Sequence, residues 1–237
     1  MRISKSKFLF VVVVLTTHLS CTNETTYTCK DISENYYGFL DHIKQGNDPN
    51  ILILKLQKIL NKKPTCIYAN LLLGDVYSIV KKNDYAIKHF LNALEVDPAS
   101  VYALFKLGVL YNLEKKYDSA IIFHRTAANL KEQNGMVFEY SKGFNEITYT
   151  VSFDIPYKDI IYNNAIASYN IGNFSDALNE INYSINHGID VTEAEFIRGK
   201  IYLKMNERSK ACDDFFASKM RGVLEAQQYI DMNCKDK

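Results

Sequence analysis

The sequence predicts an all-α fold: a solenoid of about five helix pairs with a C-terminal capping helix and one irregular insert. Three observations predict it. Small and aromatic residues recur at a spacing of 34, apolar residues within each period follow helical spacing, and breakers are scarce, with four Pro and ten Gly in 237 residues. Apolar residues make up 47% and charged residues 23%, a balance that can bury a core and excludes a disordered chain. Lys and Arg number 28 against 27 Asp and Glu, and a net charge of +1 excludes both the basic footprint of a nucleic-acid binder and an acidic solvating tail. The aromatics are numerous and one-sided: 17 Tyr and 13 Phe, with no Trp.

Residues 1–20 read as a secretory signal peptide, with a basic head (Arg2, Lys5, Lys7), an apolar run from Phe8 to Leu15, then Thr-Thr-His-Leu-Ser. The run is shorter than the about 20 residues a bilayer-spanning helix needs. Its removal takes away three positive charges and no negative one, leaving 25 against 27. Leu19-Ser20-Cys21 resembles a bacterial lipobox, although His18 stands where that motif usually has Leu. The resemblance implies cleavage before Cys21, diacylation of its thiol and anchoring in the bacterial envelope, at the outer membrane. The alternative is an ordinary cleaved signal and a soluble periplasmic or secreted protein. Residues 21–32 are polar and Thr-rich and are expected to form the lipidated tether.

The period begins beyond the tether. Leu73-Gly74, Tyr77, Ala86, Phe90, Ala93 and Pro98 return 34 residues later as Leu107-Gly108, Tyr111, Ala120, His124, Ala127 and Glu132. Ala177 and Ala211 are again 34 apart, with Ala165, Tyr169 and Phe174 around the first and Gly199, Tyr202 and Phe215 around the second. This pattern resembles the tetratricopeptide repeat, which has small residues at places 8, 20 and 27 and aromatics at places 11 and 24. The resemblance implies a right-handed α-solenoid of helix pairs. Small residues at places 8 and 20 let the two helices of a pair approach closely, and Pro at place 32 stops the second helix, as at Pro98.

Units are expected at 33–66, 67–100 and 101–134, then at 158–191 and 192–225. In the first unit only the second helix is clear, from Ile51 to Asn61 with Leu52, Leu56 and Ile59 facing inward. Residues 226–237 complete a capping helix that starts near Val223, together with the tail; a solenoid needs such a cap for its last apolar face. The register breaks once, at 135–157. That insert is aromatic, and the alternation from Ile147 to Ile155 suggests a strand or short hairpin, with Asp154 and Pro156 opening the fourth unit. Segments of this kind are often functional, and a packed surface excursion is the alternative.

With Cys21 assigned to lipid, four Cys remain in a chain expected to be exported, an even number that suggests disulfides. Cys212 falls on the last second helix and Cys234 ends the cap, so a bond there would staple the cap to the array. The stretch from Ala211 to Cys234 is also similar to the ending of many tetratricopeptide proteins of the Bacteroidota. Cys29 and Cys66 pair by elimination, and free buried thiols are the alternative for all four. No C-x-x-C occurs, His42, His89, His124 and His187 are scattered, and no nucleophile elbow, P-loop, zincin or dinucleotide fingerprint is present. Neither a catalytic set, a metal site nor a small-molecule cofactor is expected. His124 replaces the place-24 aromatic and is expected in the core.

The resemblance also implies a concave face lined by the first helices at places 2, 5, 9, 12 and 13. On this chain the face has Tyr68, Leu71, Tyr102, Phe105, Tyr162, Tyr169 and Phe196, with a basic end at Lys200 and Lys204. The Lys and Asn that clamp a terminal carboxylate in chaperone-binding members are replaced by Leu71 and Asp75 and by Phe105 and Val109. An aromatic groove suits an extended peptide or a partner helix. About half of these rings are expected to pack between repeats instead. The leading reading is a non-catalytic, lipid-anchored scaffold for protein partners in the envelope, such as a subunit of an assembly or secretion complex. A glycan- or peptidoglycan-binding module is the alternative, and no nucleic acid is expected as a partner.

Overall fold

The computed structural model describes residues 28–135 and 153–234, and among these every regular element is an α-helix. The helices are α1 (Cys29–Lys44), α2 (Pro49–Lys62), α3 (Ile67–Ile79), α4 (Asn83–Val96), α5 (Val101–Leu113), α6 (Tyr117–Gly135), α7 (Tyr157–Asn170), α8 (Phe174–Asn186), α9 (Val191–Lys204), α10 (Arg208–Met220) and α11 (Ala226–Asn233). The first ten form five consecutive pairs, each packed on the next, and α11 closes the end against α10. Packing by nearest neighbours makes this a solenoid.

Local chemistry sets the helix ends. Thr28 and Asp31 form a reciprocal capping box that starts α1 at Cys29, within the stretch expected to be tether, and the first turn already buries Ile32. Asn35 interrupts the helical geometry of α1 and turns its side-chain amide back onto the Asp31 carbonyl at 3.0 Å. Asp48 caps α2 ahead of Pro49, Ser100 caps α5, Asn173 caps α8 and Asp190 caps α9. Pro156 is the N-cap of α7, as the sequence suggests. Place 15 turns the chain between paired helices in four units: Lys81, Lys115, Gly172 and Asn206 all have φ between 59° and 85°. Each donates its N–H to a carbonyl of the last helical turn, a left-handed C-terminal cap made by three residue types.

The core follows the period. Ala86, Ala120, Ala177 and Ala211, all at place 20, are fully buried. At place 8, Gly74 lies so close to Phe90 that a methyl group would sit 2.7 Å from the ring. Gly108 meets His124 in the same way and Gly199 meets Phe215. In the fourth unit place 8 is Ala165 and place 24 is Ile181, both buried in one cluster. The first unit has Leu40 and Leu56 at these places, and α1 packs chiefly on α3 rather than on α2. The disulfide Cys29–Cys66 fixes that arrangement by joining the start of α1 to the N-cap of α3. Cys212–Cys234 joins α10 to the residue after α11. Most of the strand expected within the insert lies outside the described residues, and residues 153–156 belong to no regular element.

Candidate partner-binding face

Expected face residues fall into two separate clusters, each completed by residues from outside the expected positions. One spans α1, α3 and α5 and is organised by a buried carboxylate, Asp75, only 3% exposed. The Tyr36 and Tyr102 hydroxyls both donate to Asp75 Oδ2, at 2.7 and 2.5 Å. Lys106 Nζ pairs with Oδ1 at 2.8 Å, an ionic contact off the ideal hydrogen-bond direction. Burial, followed by the neighbouring Asp75 charge, pushes both phenols well above the usual tyrosine range. Leu71, 1% exposed, and Tyr102, 6% exposed, lie in the core, with Tyr68 partly buried against it. Over these rings sits Phe153, its centroid 4.7 Å from Tyr36, 4.9 Å from Tyr102 and 5.8 Å from Tyr68.

The second cluster belongs to α7, α9 and α11. Lys200 Nζ stands 5.6, 5.4 and 5.9 Å from the ring centroids of Tyr169, Phe196 and Tyr229. Phe196 is buried against Phe215 and Tyr229, whereas Lys200 is half-buried and Lys204, one turn on, is exposed. Among the described residues no carboxylate pairs with Lys200. Burial raises the Tyr169 phenol, and burial followed by the Glu225 charge raises that of Tyr229.

The remaining expected face residues join neither cluster. Phe105 packs at the junction of α5, α6 and α7, 5.9 Å from His124. Tyr162 lies beside the fourth-unit core, where burial and then Glu193 and Asp190 push its phenol up to about 12. His124 is fully buried, with Asn112 3.3 Å from its Nε2, and burial lowers the imidazole to about 4. Cys21 lies outside the described residues. Sequence reasoning missed Tyr36, Lys106 and Tyr229. Asp75, at place 9 and the one charged residue of α3, was the available signal, because a buried carboxylate needs hydroxyl and cationic partners. Among the described residues no three His, Cys, Asp or Glu side chains converge as metal ligands, and no helix is long and apolar enough to cross a membrane.

Neither a protein-family model nor a curated protein sequence matches the chain. Solved structures do match in three dimensions. PilF of Pseudomonas aeruginosa superposes with a TM-score of 0.61 at 16% identity, covering 81% of this chain and 78% of that one. MamA gives 0.59 at 18%, covering 85% and 95%. PilW, described as a widely conserved type IV pilus biogenesis factor, gives 0.60 at 17%, covering 81% and 77%. The fold is of the tetratricopeptide type. At these identities the likeness establishes the architecture, and it agrees with the close contacts between Gly and a ring that three of the helix pairs share at equivalent places.

Proposed function

We propose that this chain is a non-catalytic interaction scaffold of the bacterial envelope, held there through a lipid on Cys21. It takes a peptide segment or partner helix along its inner face. The observation that carries the reading is Lys200, an ammonium framed by Tyr169, Phe196 and Tyr229 on that face with no carboxylate partner among the described residues. Tyr and Phe are enriched at interfaces, Tyr at hot spots above all, and the ammonium beside them offers a charge for a partner's carboxylate. The rings that a sugar would need as open stacking platforms face this ammonium, which gives the glycan reading less support. Two disulfides suit an oxidising compartment and so support export. The pilus-biogenesis description of PilW makes an envelope assembly complex the setting we favour.

Cross-linking in the native envelope, followed by mass spectrometry, tests the scaffold. The triple substitution Tyr169→Ala, Lys200→Ala and Lys204→Ala, which spares the buried Phe196, should lower partner recovery about thirtyfold, the scale of one hot-spot residue. Undiminished recovery of every partner would rule out this face. Cys21→Ala should move the protein from the membrane to the soluble fraction, and continued sedimentation with membranes would rule out the lipid anchor.

A further inference from the structure

We propose that the inner face of α1, α3 and α5 is a binding seat for a Phe-x-Ile segment, and that the chain occupies it with its own Phe153-Asp154-Ile155 until a partner bearing the same pattern displaces them. Phe153 behaves as a side-chain ligand within the fold. Its ring meets Tyr36 and Tyr102 nearly edge-on, at interplanar angles of 89° and 69°, and stacks on Tyr68 at 21°. These are the geometries in which aromatic pairs attract beyond simple burial. Ile155 packs beside it, touching both the core of the first units and the cluster at the α5–α7 junction.

Two of the three rings that wall the seat are held independently of Phe153. Tyr36 and Tyr102 are tied through their hydroxyls to one Asp75 oxygen, and Lys106 holds the other. Rings anchored in this way cannot swing in to fill the place of a departed phenyl group, so the seat survives its ligand. The occupant itself is held lightly. No backbone hydrogen bond joins residues 153–155 to the described residues, and these residues lie in neither helix nor strand. Outside the seat the segment is pinned by an ion pair between the exposed Asp154 and the partly covered Lys131, a surface contact that contributes little. A covalently linked occupant has a high effective concentration, which keeps competing segments out until it leaves. The partner chemistry is therefore legible from the occupant: a Phe followed two residues later by Ile, with an acidic residue between them facing Lys131.

The test uses the full chain and a fluorescent peptide with the sequence of residues 152–158, Ser-Phe-Asp-Ile-Pro-Tyr-Lys, in fluorescence anisotropy. Phe153→Ala empties the place of the ring and should bind the peptide at least about tenfold more tightly than the wild-type chain, in which the tethered ring competes. Adding Tyr68→Ala should abolish the gain, as should replacing the peptide's Phe by Ala. Circular dichroism checks that each variant is folded. Ile155→Ala keeps the ring but loosens its neighbour, and it should give a smaller gain of the same sign. No gain from either variant overturns the proposal, and so does equally tight binding by the wild-type chain. Partner capture at Lys200 does not depend on Phe153, so failure here leaves the scaffold reading standing.

Discussion

At the scale of single residues, the contact between places 8 and 24 shows how the period works. Three units pair Gly with a ring, one pairs Ala with Ile and the first pairs Leu with Leu, so each larger residue at place 8 faces an aliphatic rather than a ring at place 24. The pairing makes a quantitative prediction. Gly74→Ala pushes a methyl into the Phe90 ring and should cost about 1–3 kcal/mol by overpacking. Adding Phe90→Ile recreates the pair of the fourth unit, so the double variant should lose less than the sum of the singles in urea denaturation. His124 makes a second prediction. Its folded value of about 4 lies below the usual histidine value of about 6.5, so its contribution is intact above pH 6.5 and fades as the pH falls towards 4. The unfolded chain takes up a proton in that window that the folded chain refuses, which removes up to about 3 kcal/mol by pH 4. His124→Phe places at Gly108 the ring that Gly74 and Gly199 already accommodate, and it should flatten the acid limb of stability measured between pH 6.5 and 4.

At the scale of elements, polar ties between paired helices complement the apolar contacts. In the fifth unit Arg198 holds Asp214 through two bonds of 2.8 and 2.7 Å and reaches Asn182 of the preceding unit at 3.0 Å. In the fourth, Glu180 accepts from Asn164, the same pair of places, and also from Ser168 one turn further along α7. The cap needs more than packing, because an isolated helix of eight residues is not stable in water. Cys212–Cys234 closes a loop of 22 residues around it and should contribute about 3 kcal/mol. With both cysteines changed to Ala, hydrogen exchange over 226–233 should accelerate towards the unfolded rate while α3–α8 remain protected. Unchanged protection of α11 would show that its apolar contacts and the Arg208 bond to the Asn233 carbonyl suffice to hold it.

For the whole molecule, nearest-neighbour packing makes the ends the weak points, and each end carries a disulfide. Reduction should therefore deprotect α1 and α11 before the central units, which mass-spectrometric hydrogen exchange with and without reductant would show. The fold was legible in the sequence because a 34-residue period repeats the same local decisions. Gly74, Gly108 and Gly199 mark close approach, and Ala86, Ala120, Ala177 and Ala211 mark the facing surface. The cysteine positions likewise suggested both bonds that the structure contains. The candidate site was legible only in outline. Places 2, 5 and 9 named Tyr68, Tyr102, Phe196 and Lys200, but periodicity assigns a side chain to a face without saying what comes to rest on that face. Only the tertiary structure brought Tyr36, from the degenerate unit, and Phe153, from beyond the period, to the same carboxylate-anchored rings, and only it brought Tyr229 of the cap to Lys200. Repeats are written in local spacing, and so the sequence by itself determined the helix pairs and their stacking. Contacts across 27 to more than 100 residues follow from how the units pack in space, which no local spacing encodes.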